Sequence, residues 1–398
     1  MIPKTAAGSS SVVVRRLIDV ACVLVILIGA IVLPNVGYVK SAESWTSDWR
    51  TALFSTRYQH QHDAVALVLV SEDTLQDSPI RIPIDRTLIA KLVRQVDLAR
   101  PAAIGLDFAF VRATDPAADA ELLSAIRDAK SPVVVGSVDE RMRLTDAQLA
   151  YHRKFLQDTG AMTGHLFFER KANRFGISDR VVREIQEPSA DSGATKSFAR
   201  ALAQFKNPHI DPNYSRIAWL LPPADGSDTF YELDAADLLK PEGRETLLPG
   251  LTGKLVLIGP DLSDLDQHLT PLSVLDESRT AGVRIHAQIA AQLTDGRRVR
   301  ELVLWEEVAL LLAFGAIGYL LSHHYGLDRH PKTTAWAGSI ALIGIGVILF
   351  GYGIILPYTA ALTIWISSIG LAARLDYVHL QVERLAQFLG RHGGKYNA

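Results

Sequence analysis

The chain has 398 residues, 48% of them apolar, and its 41 Lys/Arg against 43 Asp/Glu leave a net charge of −2. That balance, with no Arg/Lys cluster, excludes the basic field a nucleic-acid surface needs, so no nucleic acid is expected as a partner. The only cysteine, Cys22, excludes an intrachain disulfide framework and a Cys-based metal centre.

Residues 1–16 read as a polar N-terminal tail. Residues 17–39 follow as a first membrane span, because Val20 to Val39 supplies the roughly 20 apolar residues that cross a hydrocarbon core. Arg15 and Arg16 precede it, Asp19 is placed to pair with Arg15, and Trp45 and Trp49 suit an interfacial belt. A cleaved signal peptide is the rival reading, since the strictly apolar core Val20–Leu33 is short and Ser41-Ala42 offers a cleavage site.

Residues 40–301 read as one extracytoplasmic domain. The run Ala64–Val70 lacks alternation and predicts a strand buried on both faces. Leu88–Leu98 has helical spacing, Pro101–Phe110 is a second strand ending near Asp107, 119–129 is a helix, and Val133–Gly136 is a third strand. Residues 160–220 mix short strand-like pieces with a helical stretch at Ser197–Phe205. Lys254–Pro260 is a further strand, and a helix begins at Gly282. The β-α-β-α-β order predicts an α/β fold: a three-layer domain with a mostly parallel sheet, carried by four transmembrane α-helices.

The other three spans are expected at 302–321, 334–350 and 354–373, with Gly351, Tyr352 and Gly353 as a tight turn and Pro357 in the last helix's first turn. Lys4, Arg15, Arg16, Arg329 and Lys332 set the orientation by the positive-inside rule: both termini cytoplasmic, 40–301 outside. Residues 374–398 form a cytoplasmic tail. There Val378, Val382, Leu385 and Leu389 recur at coiled-coil spacing, a candidate surface for a twin protomer or a partner helix. A helix lying on the membrane lipid is the alternative.

A family resemblance emerges from several pieces in order: Asp48-Trp49-Arg50, Leu67–Asp73, Ala103–Phe110, Val133–Gly136, Leu255–Gly259, Asp264–Pro271 and Gly282–Gln288. Over about 41–298 these resemble the CHASE2 class of bacterial extracytoplasmic sensory domains. The resemblance implies a receptor in the bacterial inner membrane that senses an unidentified stimulus and usually drives a fused kinase, nucleotide cyclase or diguanylate-type enzyme. Only 24 residues follow Arg374, so the expected output lies on a separate partner chain. A homo-oligomer is also expected, because a two-fold pair converts domain motion into helix spacing.

In open parallel sheets ligands favour the carboxyl ends of strands. Glu72, Asp73, Asp107, Ser137 and Asp261 are placed there, an acidic rim for a cationic or hydroxyl-rich small ligand; the bland reading is helix capping and local backbone bonds. Asp264, Asp266 and His268, with Asp261 and His286, make a metal-ligand inventory without EF-hand or zinc-helix spacing, and bonds to Arg279 or Arg284 are the competing role. His323 and His324 are a further candidate pair for pH sensing or metal binding, with an interfacial position as the favoured bland reading. No nucleophile elbow, P-loop or dinucleotide fingerprint occurs, so neither enzyme activity nor a cofactor is expected. The leading expectation is a sensor subunit relaying a signal to a separate cytoplasmic partner; the alternatives are a scaffolding subunit of an envelope complex and, more weakly, a hydrolase.

Overall fold

Apolar runs without alternation sit only where both faces of a sheet are covered, and a computed structural model places four of them side by side. It describes residues 20–76, 78, 81–168, 179–189, 194–211, 213–324 and 331–374, the side chains of 323, 324 and 331 excepted. The chain divides into two compact units: Met1–Ser47 with Glu301–Ala398, and Asp48–Arg300.

The second unit is built on a six-stranded sheet. Its strands are β1 Val65–Val70, β2 Ala103–Leu106, β3 Val133–Ser137, β4 Met162–His165, β5 Tyr231–Asp234 and β6 Leu255–Pro260. They lie in the order β4-β3-β2-β6-β1-β5, and every pairing is parallel. β1, β2, β3 and β6 are buried at every residue.

One face packs Val68, Ile104, Leu106, Val135 and Ile258 against helices α1 Arg86–Asp97, α2 Pro116–Asp128 and α3 Asp146–Thr159. The other packs Val65, Leu67, Val134 and Leu257 against α4 Phe198–Ala203 and α5 Gly282–Asp295. This is the expected three-layer arrangement.

The helices begin where their sequences supply caps. Asp85 accepts the Thr87 N–H at 2.9 Å ahead of α1, and Thr145 with Gln148 forms a reciprocal box ahead of α3. On α5, the buried Gln288 and Gln292 take over backbone pairing for residues 216–220. The Gln288 amide accepts from Leu220 N at 2.8 Å and donates to its carbonyl at 3.1 Å; Gln292 serves Ala218 and Arg216 likewise. The glutamine amides satisfy buried backbone groups of this segment that its short pairing with Thr56–Arg57 leaves over.

Two sheet strands depart from the sequence reading. Residues 160–220 read only as a mixture of short strand-like pieces, and within them Met162–His165 is the edge strand beside β3. It contains Gly164, where an added Cβ would lie 2.5 Å from the Phe198 Cα, so α4 packs directly on the strand backbone. Tyr231–Asp234 is the opposite edge, half-exposed and polar at alternate positions. α3 is an addition to the elements read from the sequence.

The first unit holds the apolar helices. Leu304–Ser322 and Lys332–Gly351 are long and apolar enough to cross a membrane. The first expected span, 17–39, is interrupted rather than continuous. A helix over 20–32 gives way to a 3-10 turn at Leu33–Asn35, and the next helix, Gly37–Phe54, leaves at 68°. Pro34 lacks the N–H that an α-helix needs and restricts Leu33 before it, which explains the break. These two pieces make a third candidate span only if taken together. The fourth expected span begins differently as well: Ile354–Ile355 is extended, Pro357 precedes the helix, and residues 358–374 are helical for a described length of 17 residues.

Within this unit the helices interlock through glycine. At Gly338 a Cβ would lie 2.0 Å from the Trp365 ring, whose Nε1 donates to the Ala335 carbonyl at 3.2 Å. Glu43 accepts the Thr359 N–H at 2.7 Å, capping helix 358–374.

Candidate functional site

The carboxyl ends of the strands carry two kinds of acidic residue. The first kind is paired. Glu72 follows β1 and accepts from the Ser263 N–H at 3.3 Å, and it shares Arg81 with Asp264, which is 3.0 Å from that guanidinium. Asp261 follows β6 and accepts from Arg284 of α5 at 2.9 Å, while Glu232 of β5 binds the same guanidinium at 2.5 Å. Desolvation raises the Glu232 carboxyl above its ordinary value, with Arg284 working against that shift. Asp73 is exposed.

The second kind is buried, with no Lys or Arg acting on it among the described residues. Asp107 follows β2 on the α5 face, its side chain only 4% exposed. Its Oδ1 lies 3.9 Å from His286 Nε2, beyond hydrogen-bond distance, and its Oδ2 has no hydrogen-bond partner. His286 begins the second turn of α5; its ring is 4.5 Å from the Phe168 ring and 5.0 Å from the Phe198 ring, and its Nδ1 is also unpartnered. His268, 5.2 Å from Phe168, donates from Nε2 to Asp266 at 2.8 Å and keeps an unpartnered Nδ1. Phe168 thus touches both imidazoles. Asp266 adopts a left-handed φ of 52° and approaches Gly282 so closely that a Cβ there would lie 1.9 Å from its Oδ2.

Burial sets the protonation of this cluster. Desolvation, reinforced by the Asp266 charge, pushes the Asp107 carboxyl well above the usual carboxylate range. Desolvation likewise drives His286 down to about 3 against the opposing pull of Asp266, so its imidazole is neutral near pH 7.

A neighbouring cluster at the ends of β3 and β4 is better satisfied. Ser137 pairs in register with His165. Arg141 donates to His165 Nε2 at 2.8 Å and to Asp139 at 2.6 Å, and Ser189 adds a bond to Asp139 at 3.0 Å. Because Arg141 only donates, His165 holds its proton on Nδ1, which has no partner, as is also true of the Ser137 hydroxyl. Burial opposes ionisation of Asp139, but its bonds to Arg141, the His165 interaction and Ser189 together lower it to about 2. Burial and then Arg141 hold His165 at about 4 although Asp139 pulls the other way. His152 shows what a structural histidine looks like here: it accepts from Val138 N and donates to the Phe110 carbonyl, both at 3.1 Å.

The expected acidic rim therefore divides. Asp107 and Ser137 are buried with unpartnered atoms, whereas Glu72 and Asp261 belong to ionic networks. The expected metal set of Asp264, Asp266 and His268 is not brought together: Asp264 turns to Arg81 and Asp266 to His268. Among the described residues no group of three or more His, Cys, Asp or Glu is placed to hold a metal ion. Phe168 and His165 escaped the sequence reading, because the strand-like pieces of 160–220 are too short to assign a register or a place in the sheet. The Asp48-Trp49-Arg50 motif also gains a role: buried Asp48 makes a bidentate pair with Arg183 at 2.7 and 2.6 Å. Val378, Val382, Leu385 and Leu389 lie outside the described residues, as do the side chains of His323 and His324.

A family model described as the CHASE2 domain matches residues 20–321. No curated protein and no solved structure matches the chain.

Proposed function

The chain belongs to the CHASE2 domain family, a family of extracytoplasmic sensory domains, and from that premise we propose that it is a membrane-anchored sensor subunit. In this reading the α/β unit Asp48–Arg300 receives an envelope or ligand signal, and the apolar helices relay it to a separate cytoplasmic partner. The observation that supports this is the extent of the family match. It starts in helix 20–32, covers the whole α/β unit and ends inside Leu304–His324, so the sensory unit is bounded by apolar helices on both sides. A stimulus acts on such a device only by binding its two states with different affinity.

Orientation follows from charge: with Arg15, Arg16 and Lys332 inside, the α/β unit is outside. Cys22 is the only cysteine and is buried, so an Asp73→Cys reporter is the sole exposed thiol. It should react with an impermeant maleimide on intact spheroplasts; protection there would reverse the topology.

The relay is tested by crosslinking the full-length protein in native membranes and identifying what it captures by mass spectrometry. A stoichiometric kinase, cyclase or similar regulator is the expected result, and deletion of residues 376–398 should release it while insertion persists. Capture of envelope assembly proteins instead would replace the relay by a scaffolding role.

A further inference from the structure

The helix Gly37–Phe54 turns outward the side chains that a helix in water would cover. Tyr38 is 84% exposed and Trp45 60%, whereas the charged Asp48 and Arg50 of the same helix are each 3% exposed. Tyr38, Ala42 and Trp45 follow one another at spacings of four and three residues, so they share one stripe of the helix. Val39 and Glu43 lie on another side, toward the apolar helices. Val39 packs against the cluster of Ala30, Leu311 and Ala360, and Glu43 accepts the Thr359 N–H. Large exposed rings on a helix tethered in this way mark an interaction surface.

The stripe's place along the chain says what covers it. Val20–Asn35 rises by about 24 Å at about 1.5 Å per residue, so the bend at Pro34 comes near the edge of a hydrocarbon core about 30 Å thick. Ile31 and Val32, both half-exposed, carry apolar surface up to the bend. Beyond it the helix turns by 68°, nearer to perpendicular than to collinear, and so leaves the direction of the span. Tyr and Trp suit the boundary between hydrocarbon and headgroups, since each combines an apolar ring with a polar handle. Trp305 and Tyr352, also exposed, hold corresponding places at ends of Leu304–His324 and Pro331–Gly351.

We propose that residues 37–47 form an interfacial helix on the outer leaflet, with Tyr38 and Trp45 seated among the lipid headgroups. The assignment rests on the membrane-anchored reading and goes beyond it: the first apolar segment supplies a span and then an arm in the membrane plane. A second copy of the chain would also cover the two rings, but nothing in such a contact would place them at the level where a span ends.

Full-length protein carrying Cys22→Ala is reconstituted in lipid nanodiscs and spin-labelled at one introduced thiol, and depth is read from collisions with oxygen against a water-soluble nickel chelate. Ala42→Cys labels the stripe without removing either ring, and Tyr38→Cys reports the same depth should a label at Ala42 disturb the helix. Ile340→Cys labels an exposed flank of Lys332–Gly351, and the exposed Asp73→Cys is the aqueous reference. The Ala42→Cys label should sit about 5–10 Å below the phosphates, shallower than the Ile340→Cys label and shielded from nickel relative to Asp73→Cys. Adding Tyr38→Ser and Trp45→Ser should return it toward water while the Ile340→Cys label keeps its depth. An Ala42→Cys label as open to nickel as Asp73→Cys, with Ile340→Cys in lipid, would overturn the interfacial helix and leave the anchor standing. Spin–spin broadening at Ala42→Cys that disappears on dilution with unlabelled protein would assign the stripe to a second copy and overturn it as well. Aqueous exposure of Ile340→Cys would remove the membrane anchor itself, and the proposal with it.

Discussion

Two acidic regions lie at the same end of one sheet and solve the same electrostatic problem in opposite ways. Around Glu72, Asp261, Glu232 and Asp264, each carboxylate meets a guanidinium that is itself partly solvated. Around Asp107 the carboxyl lies near the neutral His286 imidazole, itself flanked by phenylalanine rings, and is relieved by protonation. The first arrangement is what a stable surface requires. The second leaves buried polar atoms without partners inside the fold, and strongly shifted groups of this kind gather at functional sites.

The comparison breaks most visibly where a guanidinium is removed from a buried acid. Arg183→Met should strand Asp48, which is buried, and cost about 3–5 kcal/mol in thermal or chemical unfolding of the detergent-solubilised protein. A loss under 1 kcal/mol would mean that Asp48 is paired otherwise or readily neutralised.

Next in size is a pH effect. His286 is neutral in the fold and charges on unfolding below its ordinary value of 6.5, so its contribution is complete above that pH and is lost as pH falls toward about 3. Asp107 has the opposite sign: its raised folded value means that stability declines as pH rises above 3.8. Between about pH 4 and 6.5 the two slopes oppose each other. Asp107→Asn should expose the histidine slope, steepening the acid loss of stability by about 1.4 kcal/mol per pH unit. A stability profile parallel to the parent's would show that Asp107 does not hold its proton in the fold.

Packing gives a third and smaller effect. Gly164→Ala places a Cβ 2.5 Å from the Phe198 backbone and should cost about 1–3 kcal/mol, against an expected near-neutral result at Gly344, where a Cβ meets nothing within 4 Å. The smallest effect is expected in the exposed network, where Glu72→Gln should change stability by no more than about 0.5–1 kcal/mol and lose even that difference in high salt.

Much of the architecture was legible in the residues. The uninterrupted apolar runs at 65–70, 103–106 and 255–260 have no polar face to offer water, so a covered parallel sheet was the only place for them. The apolar helices at 304–322 and 332–351 were equally plain, and the ordered motif pieces were enough to point to the family. Edge strands were not legible, because β4 and β5 are short, polar at alternate positions and held by neighbours far away in sequence. The break at Pro34 had its signal in the sequence, but the apolar run on both sides outweighed it.

The site shows the same division more sharply. The sequence by itself determined that acidic residues would gather at the carboxyl ends of the strands, since that follows from strand position alone. Which of them would be answered by a guanidinium was decided only by tertiary structure. Arg81, Arg183 and Arg284 reach Asp264, Asp48 and Glu232 across separations of 183, 135 and 52 residues, distances over which a pattern in the chain carries no pairing information. Among the described residues Asp107 meets no guanidinium; α5 brings the His286 imidazole toward it instead, with the Phe168 ring against that imidazole.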